Sequence, residues 1–232
     1  MNMRWKIKIK RAIPKELLNS LLLTFPFLYR TRLVQYETTL QEGHGIDDLL
    51  EKLKTTESCP GDVIECGSSR CGASVIIANA LRSRGLKKKI YACDTFESFD
   101  PKELERERRQ GLVNVPDGAF TSTSYEYVKK KIDRLGVSDM VFPVKGLFKD
   151  TLPSLREKVC FALIDCDLRD SLVYSAEMIW PNLSSGGSLV FDDYLSEDWK
   201  GARIGTDFIV NKFKDQISAH GVMRRLYYID KR

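Results

Sequence analysis

Two short apolar runs, each ending in acidic residues, constrain the fold of this chain more than any other feature. Residues 160–164 (CFALI) lead into Asp165-Cys-Asp167, and residues 186–191 (GGSLVF) lead into Asp192-Asp193. Apolar runs of this length, bounded by glycine and charge, are typical of strands buried on both faces of a parallel sheet. In such sheets ligands bind at the carboxyl ends of the strands. We therefore expect Asp165, Asp192 and Asp193 to converge at one edge.

Strand-like and helix-like patterns alternate along the rest of the chain. Strands are predicted at residues 62–66, 88–93 and 141–144, and helices at 73–84, 101–109, 125–135, 152–158 and 171–180. The highly charged helix at 101–109 is expected to be a solvated surface helix. This alternation predicts an α/β fold with a doubly wound, mostly parallel sheet. Towards the C-terminus we expect a helix over 204–218 and a single closing strand over 222–229. Residues 1–58 are interpreted as a helical N-terminal extension, with an amphipathic helix at 46–53, and residues 59–232 as the main domain.

The composition is that of a globular protein, with 43% hydrophobic and 30% charged residues in a chain of 232. The six cysteines contain no C-x-x-C pair, so we expect free thiols, no disulfide and a cytoplasmic location. Basic residues crowd the first 32 positions, beside an apolar stretch at 17–28. This pattern predicts a peripheral membrane contact or a homodimer contact through residues 1–32, with a solvated face as the alternative. No nucleic-acid partner is expected.

The three aspartates at the predicted sheet edge form a candidate metal site. Carboxylates packed together repel one another unless a cation neutralises them, and oxygen-only ligands suit Mg²⁺ or Ca²⁺. The alternative is that two of the three only cap the helices that follow the strands.

The loop at residues 65–72 (ECGSSRCG) is a candidate cofactor site. Its G-x4-G spacing differs from the G-x-G-x-x-G of dinucleotide sites, and it lacks the lysine of a phosphate-binding loop. Asp94 ends the next strand, where a carboxylate suits the hydroxyls of a ribose. Glu65 disfavours a phosphate but attracts positive charge. A loop that accepts a ribose and a cationic group fits S-adenosylmethionine (SAM), unless Glu65 and Asp94 are only strand-end caps.

Several ordered motifs resemble the macrocin O-methyltransferase family, whose members use SAM and Mg²⁺ to methylate sugar hydroxyls of natural products. The similarity extends from about residue 60 to residue 213. It is carried by segments 60–67 (PGDVIECG), 94–98 (DTFES), 145–153 (KGLFKDTLP), 165–167 (DCD), 192–194 (DDY) and 201–203 (GAR). Cys71 and Leu147 depart from the family pattern, as does Arg169 after the acidic pair.

The resemblance implies a class I SAM-methyltransferase fold and a set of site residues. The cofactor-binding residues it implies are Glu65, Gly67, Ser68, Gly72, Asp94, Thr95, Gly146, Leu147 and Asp165. It also implies Asp165, Asp192 and Asp193 as ligands of Mg²⁺. We expect Asp165 to act as the catalytic base as well, with His44 as a second candidate.

The predicted function is therefore a SAM-dependent, divalent-metal-assisted O-methyltransferase. Its expected acceptor is a sugar or similar polyhydroxylated small molecule with a free hydroxyl. Two alternatives stay open: a catechol-type O-methyltransferase, and a non-catalytic scaffold recruited through its basic N-terminus.

Overall fold

The computed structural model describes residues 37–41, 44–116, 118–121 and 123–232. In these residues seven strands form one sheet with the order β3-β2-β1-β4-β5-β7-β6. The strands are β1 Asp62–Cys66, β2 Ile90–Asp94, β3 Val141–Lys145, β4 Val159–Ile164, β5 Leu183–Phe191, β6 Ile217–Val222 and β7 Tyr227–Lys231. The pairs from β3 through β5 are parallel, and β7 runs antiparallel to both β5 and β6. The predicted doubly wound, mostly parallel sheet is confirmed.

Helices connect the strands and cover the sheet. They are α1 Gly45–Thr56, α2 Gly72–Ser83, α3 Pro101–Arg109, α4 Tyr125–Arg134, α5 Phe148–Thr151, α6 Arg169–Ile179 and α7 Lys200–Phe213. Ser124 begins α4 by accepting a hydrogen bond from the Tyr127 N–H, and Asp100 begins α3 in the same way. The helix predicted at 152–158 lies earlier, as α5 and a 3-10 turn at Leu152–Ser154.

The two apolar runs at residues 160–164 and 186–191 lie in β4 and β5, at the centre of the sheet. All six residues of β4 are buried, as are the last five of β5, because helices cover both faces. Ile164 pairs in register with Cys66 on one side and Phe191 on the other. Since these three residues end their strands, whatever follows them is brought to one edge.

The prediction of a single closing strand at 222–229 is wrong. Helix α7 ends at Phe213, and the chain then forms an antiparallel hairpin of β6 and β7, closed by the Met223 N–H donating to the Leu226 carbonyl at 2.8 Å. Strand β6 lies at the edge of the sheet with most of its residues exposed. An edge strand therefore carries only a weak apolar pattern, which explains why the sequence did not reveal it.

The described part of the predicted N-terminal extension packs against the main sheet. Leu40, Leu49 and Leu53 are fully buried in the same apolar core as residues of β1 and α2. Asp48 accepts hydrogen bonds from the Arg225 and Leu226 N–H groups, which ties α1 to the β6–β7 turn. The boundary at residue 58 stays a prediction, and the basic and apolar stretches within residues 1–32 lie outside the described residues. Among the described residues, no helix combines the length and apolar character needed to cross a bilayer.

Candidate active site

The candidate site lies at the carboxyl edge of the sheet, between the neighbouring strands β1 and β4. The strand order reverses at this point, because β2 and β3 follow on one side of β1 and β5 follows on the other side of β4. Such a switch point is where open α/β sheets form their binding crevice. The ladder continues past the strand ends, because the Asp165 N–H donates to the Cys66 carbonyl at 2.8 Å and the Asp192 N–H to the Ile164 carbonyl at 3.1 Å. Asp165 and Asp192 are thereby brought side by side.

The predicted cofactor loop makes a sharp turn directly against Asp165. Gly67 has a φ of 89°, and a side chain there would come within 1.8 Å of the Asp165 carbonyl oxygen, so only glycine fits. Ser69 and Cys71 follow with φ values of 44° and 55°, in the left-handed region. Non-glycine residues in this region cost on the order of 1–3 kcal/mol each and need support from their surroundings.

Asp94 supplies part of that support. Its carboxylate accepts hydrogen bonds from the Ser69 N–H at 2.8 Å and from the Phe96 N–H at 2.6 Å. Burial raises the pKa of Asp94, and these two backbone hydrogen bonds oppose the rise. The Gly146 N–H donates to the Asp94 carbonyl at 3.0 Å, and the Thr95 hydroxyl lies 3.4 Å from the Asp94 carboxylate. The structure therefore brings the predicted residues Gly67, Asp94, Thr95 and Gly146 to one end of the site; Leu147 follows at the start of α5.

Glu65 is a buried carboxyl group in this loop region with too little positive charge around it. Burial, followed by the neighbouring charge of Asp94, raises the pKa of Glu65 to about 8, although a short hydrogen bond from the Ser74 hydroxyl opposes the rise. The hydroxyl of Ser68, also buried, has no hydrogen-bond partner in the described part of the chain. A cationic ligand with polar groups would satisfy both residues, so the loop fits SAM.

Three aspartates form a compact acidic cluster beyond the loop. One carboxylate oxygen from each of Asp165, Asp167 and Asp193 lies within 4.8 Å of the others. Asp167 and Asp193 have φ values of 61° and 59°, so both turns are held in the left-handed region. Burial and then the other aspartates raise the pKa of Asp165 and of Asp167 well above the ordinary value, and that of Asp193 to about 6.

Asp192 lies beside this cluster but is engaged elsewhere. Its two carboxylate oxygens accept hydrogen bonds from the Arg225 Nε at 3.0 Å and Nη2 at 2.9 Å. Arg225 comes from the turn of the C-terminal hairpin and also donates to the Thr39 carbonyl at 2.9 Å. Of the three predicted metal ligands, the structure thus brings Asp165 and Asp193 together, adds Asp167, and holds Asp192 in an ion pair.

The acidic cluster has the donor set for a divalent cation. Its oxygens are all carboxylate oxygens, the group that Mg²⁺ and Ca²⁺ prefer. Burial and mutual repulsion raise the pKa of Asp165 and of Asp167, and a bound cation would oppose both effects. No cysteine or histidine belongs to this cluster of described residues. The residues therefore fit the predicted metal.

Two functional contributors were missed by sequence reasoning, Arg225 and Ser74, because neither belongs to a motif. A third correction concerns α3, which we expected to be a solvated helix. Glu107 is fully buried, and it accepts a hydrogen bond from the Arg169 N–H at 2.6 Å, just after Asp167. His44, the second candidate base, is exposed and pairs with Asp47.

Comparison with known proteins supports the motif resemblance. A family model for macrocin-O-methyltransferases (TylF) matches residues 43–231. Over 158 residues the chain is 31% identical to the 8-demethyl-8-(2,3-dimethoxy-alpha-L-rhamnosyl)-tetracenomycin-C 4'-O-methyltransferase of Streptomyces olivaceus, across 63% of this chain and 58% of that relative. Over 182 residues it is 26% identical to the mycinamicin III 3''-O-methyltransferase of Micromonospora griseorubida, across 75% of this chain and 67% of the relative.

The solved structure of the O-methyltransferase NovP has the same fold. It superposes with a TM-score of 0.66 at 21% identity, covering 80% of this chain and 78% of that one. The predicted class I SAM-methyltransferase fold is therefore confirmed. Since the family model covers nearly all of the described residues, including the cofactor loop and the acidic cluster, the chain belongs to the macrocin-O-methyltransferase family.

Proposed function

We propose that this protein is a SAM-dependent O-methyltransferase, assisted by a divalent metal, that methylates a hydroxyl of a sugar or polyhydroxylated small molecule. One observation carries the proposal: the cofactor loop and the acidic cluster share Asp165. Its backbone carbonyl lies against Gly67, while its carboxylate belongs to the cluster with Asp167 and Asp193. A methyl donor in the loop and a hydroxyl at the cluster would meet at this residue.

The acceptor class is supported by the relatives. One is named for a rhamnosyl-bearing tetracenomycin and another for mycinamicin III, and both names describe O-methylation. The first match spans 58% of that relative, so the acceptor of the present chain is a proposal about substrate class.

The residues divide the reaction between them. Glu65, Gly67 and Asp94 would hold SAM, with Ser68, Gly72, Thr95, Gly146 and Leu147 around it. SAM supplies an electrophilic methyl group bound to a sulfonium sulfur, and the sulfur leaves as a neutral thioether. Asp165, Asp167 and Asp193 would hold Mg²⁺, which supplies Lewis acidity and lowers the pKa of an acceptor hydroxyl.

Asp165 is the proposed general base. Its carboxylate would accept the proton of the acceptor hydroxyl as that oxygen takes the methyl group of bound SAM. Base catalysis typically contributes about 10²–10⁴-fold, roughly 3–5 kcal/mol, whereas fixing the acceptor and methyl group in line supplies roughly 7–11 kcal/mol. Orientation by the loop and the acidic cluster is therefore the larger effect.

The alternatives differ in acceptor or in catalysis. A catechol acceptor would also bind through two oxygens at the acidic cluster. A non-catalytic scaffold would gain nothing from three mutually repelling carboxylates, and the basic segment that would recruit it lies outside the described residues.

The test is a calorimetric titration of the full chain with SAM, with and without Mg²⁺, followed by methyl transfer to glycosylated and catechol acceptors. We expect SAM binding in both conditions and transfer to the glycosylated acceptors that stops when a chelator removes the metal. Transfer only to catechols would establish the alternative acceptor. If SAM binds neither with nor without Mg²⁺, the proposal is refuted.

A further inference from the structure

A buried group of side chains, none of which belongs to the acidic cluster, contacts the cofactor loop. We name Glu37, Arg70, Tyr127 and Lys131 the loop clamp. Glu37 lies in the segment before α1, Arg70 in the cofactor loop itself, and Tyr127 and Lys131 on α4. None of the four belongs to the motifs that carry the family resemblance.

The clamp is a set of short contacts around one carboxylate, that of Glu37. Arg70 Nη1 donates to Glu37 Oε1 at 2.6 Å, and the Tyr127 hydroxyl donates to Glu37 Oε2 at 2.7 Å. Lys131 Nζ lies 3.2 Å from Glu37 Oε2 and donates to the Arg70 backbone carbonyl at 2.8 Å. Both the side chain and the backbone of Arg70 are therefore held.

The charged side chains of the clamp are buried, so each charge is costly without a partner. The side chain of Lys131 is 0% exposed and that of Glu37 is 5% exposed. Burial lowers the pKa of Lys131, and the negative charge of Glu37 opposes this shift. Burial alone would raise the pKa of Glu37, but the positive charges of Lys131 and Arg70 outweigh it, so that the pKa of Glu37 is lowered. A buried ammonium needs a charged partner, so loss of the Glu37 charge would leave Lys131 without its carboxylate.

The backbone at Glu37 also packs against the loop. A side chain at Gly72 would come within 2.5 Å of the Glu37 carbonyl oxygen, so the segment before α1 lies directly on the start of α2. Between Gly67 and Gly72, Ser69 and Cys71 have left-handed φ values that persist only under external support. Asp94 supports the loop from the sheet side, and the clamp supports it from the outside.

We propose that Glu37 and Lys131 are positioning residues for SAM: from outside the cofactor pocket, they hold the loop at residues 67–72 in its binding conformation. The proposal rests on the proposed use of this loop by SAM. It extends the cofactor site to a residue that precedes α1, in the segment that sequence analysis assigned to a separate N-terminal extension.

The experiment compares four variants of the full chain. Glu37→Gln removes the carboxylate charge, Lys131→Met removes the ammonium, and Tyr127→Phe removes one hydrogen bond while leaving both charges. Glu57→Gln is the matched control, because it breaks the ion pair of Glu57 with Arg84 at 2.8 Å on the surface. Each variant is measured by SAM calorimetry and by hydrogen exchange of the loop without ligand.

We expect Glu37→Gln and Lys131→Met to weaken SAM binding at least tenfold and to accelerate loop exchange. Tyr127→Phe should weaken SAM binding about threefold, and Glu57→Gln should change neither quantity. In turnover assays the KM for SAM should rise while kcat stays within twofold, a separation that a general loss of folded protein would not give.

The proposal fails if SAM affinity and loop exchange stay within twofold of wild type in the folded variants. Tyr127→Phe keeps this test available if a charge variant does not fold, because all three charged residues of the clamp remain. If the wild-type chain binds no SAM but the variants still exchange faster in the loop, control of the loop by the clamp is supported and the proposed function is refuted.

Discussion

At the cofactor loop, the buried carboxylate of Glu37 is surrounded by Arg70 and Lys131, whereas at the acidic cluster Asp165, Asp167 and Asp193 face one another. The loop clamp thus carries its own counter-charges, and it helps to hold the loop in shape. The cluster has one nearby guanidinium, Arg225, which is engaged with Asp192. The difference teaches that the clamp balances its buried charges with its own residues, whereas the acidic cluster keeps like charges together at the place where we propose a cation.

The largest expected effect comes from removing a carboxylate of the acidic cluster. Asp193→Asn should weaken Mg²⁺ binding at least a hundredfold and slow methyl transfer roughly a thousandfold, because a proposed metal ligand is lost. SAM affinity should stay within threefold, since the loop is held independently. Calorimetry with Mg²⁺ and with SAM, together with single-turnover assays, measures all three. Asp139→Asn, an exposed carboxylate paired with Arg82, is the control. Unchanged Mg²⁺ affinity in Asp193→Asn would contradict the metal site.

A second pair of variants decides which aspartates bind the metal. Asp167→Asn should weaken Mg²⁺ binding about a hundredfold, since its oxygen belongs to the compact cluster. Asp192→Asn should instead lower stability, by leaving Arg225 without its carboxylate, and change Mg²⁺ affinity less than fivefold. The reverse result would restore the ligand set Asp165, Asp192 and Asp193 that the resemblance implies.

The third prediction concerns the pH dependence of stability at the loop end. The folded protein retains the Glu65 proton up to about pH 8, while an unfolded chain loses it near the ordinary pKa of 4.5. Wild-type stability therefore falls as pH rises through this window. Glu65→Gln removes that slope, so the stability of the variant relative to wild type should rise by roughly 3–4 kcal/mol between pH 5 and 8. Urea unfolding without SAM measures this, and parallel curves would disprove it.

The smallest expected effect is at Glu107, the buried acid next to the acidic cluster. Burial raises its pKa to about 7, and its Oε2 has no hydrogen-bond partner among the described residues. Because the folded protein retains the Glu107 proton to a higher pH than the unfolded chain, wild type loses stability as pH rises from 4.5 to 7. Glu107→Gln keeps an acceptor for the Arg169 N–H, and its stability relative to wild type should rise by about 2.5 kcal/mol between pH 5 and pH 8. Thermal melts of variant and wild type at pH 5 and pH 8 test this. A stability difference, variant minus wild type, that is smaller at pH 8 than at pH 5 would contradict it.

Much of the fold was accessible from local pattern. The apolar runs of β4 and β5 mark central strands because a strand covered on both faces has no polar positions. The acidic residues after them converge because parallel strands end at one edge. The same local logic missed β6, whose edge position leaves its residues exposed, and misread α3, whose Glu107 reaches into the interior.

The partners of the charged residues were not accessible in this way. Glu37 meets Lys131 across 94 positions of sequence, and Asp192 meets Arg225 across 33. The local sequence around an Asp or Glu does not indicate whether its carboxylate binds an ion, pairs with a guanidinium or supports a loop. Only its neighbours distinguish these roles.

By itself, then, the sequence determined the α/β architecture, the cofactor loop and the edge where Asp165 and Asp193 meet, because apolar periodicity, glycine spacing and strand-end charge are local properties. The tertiary structure alone decided that Asp167 joins the acidic cluster, that Arg225 engages Asp192, and that Glu37 supports the loop. Those outcomes depend on which distant charges become buried together, and the energy of a buried charge is set by its surroundings in space.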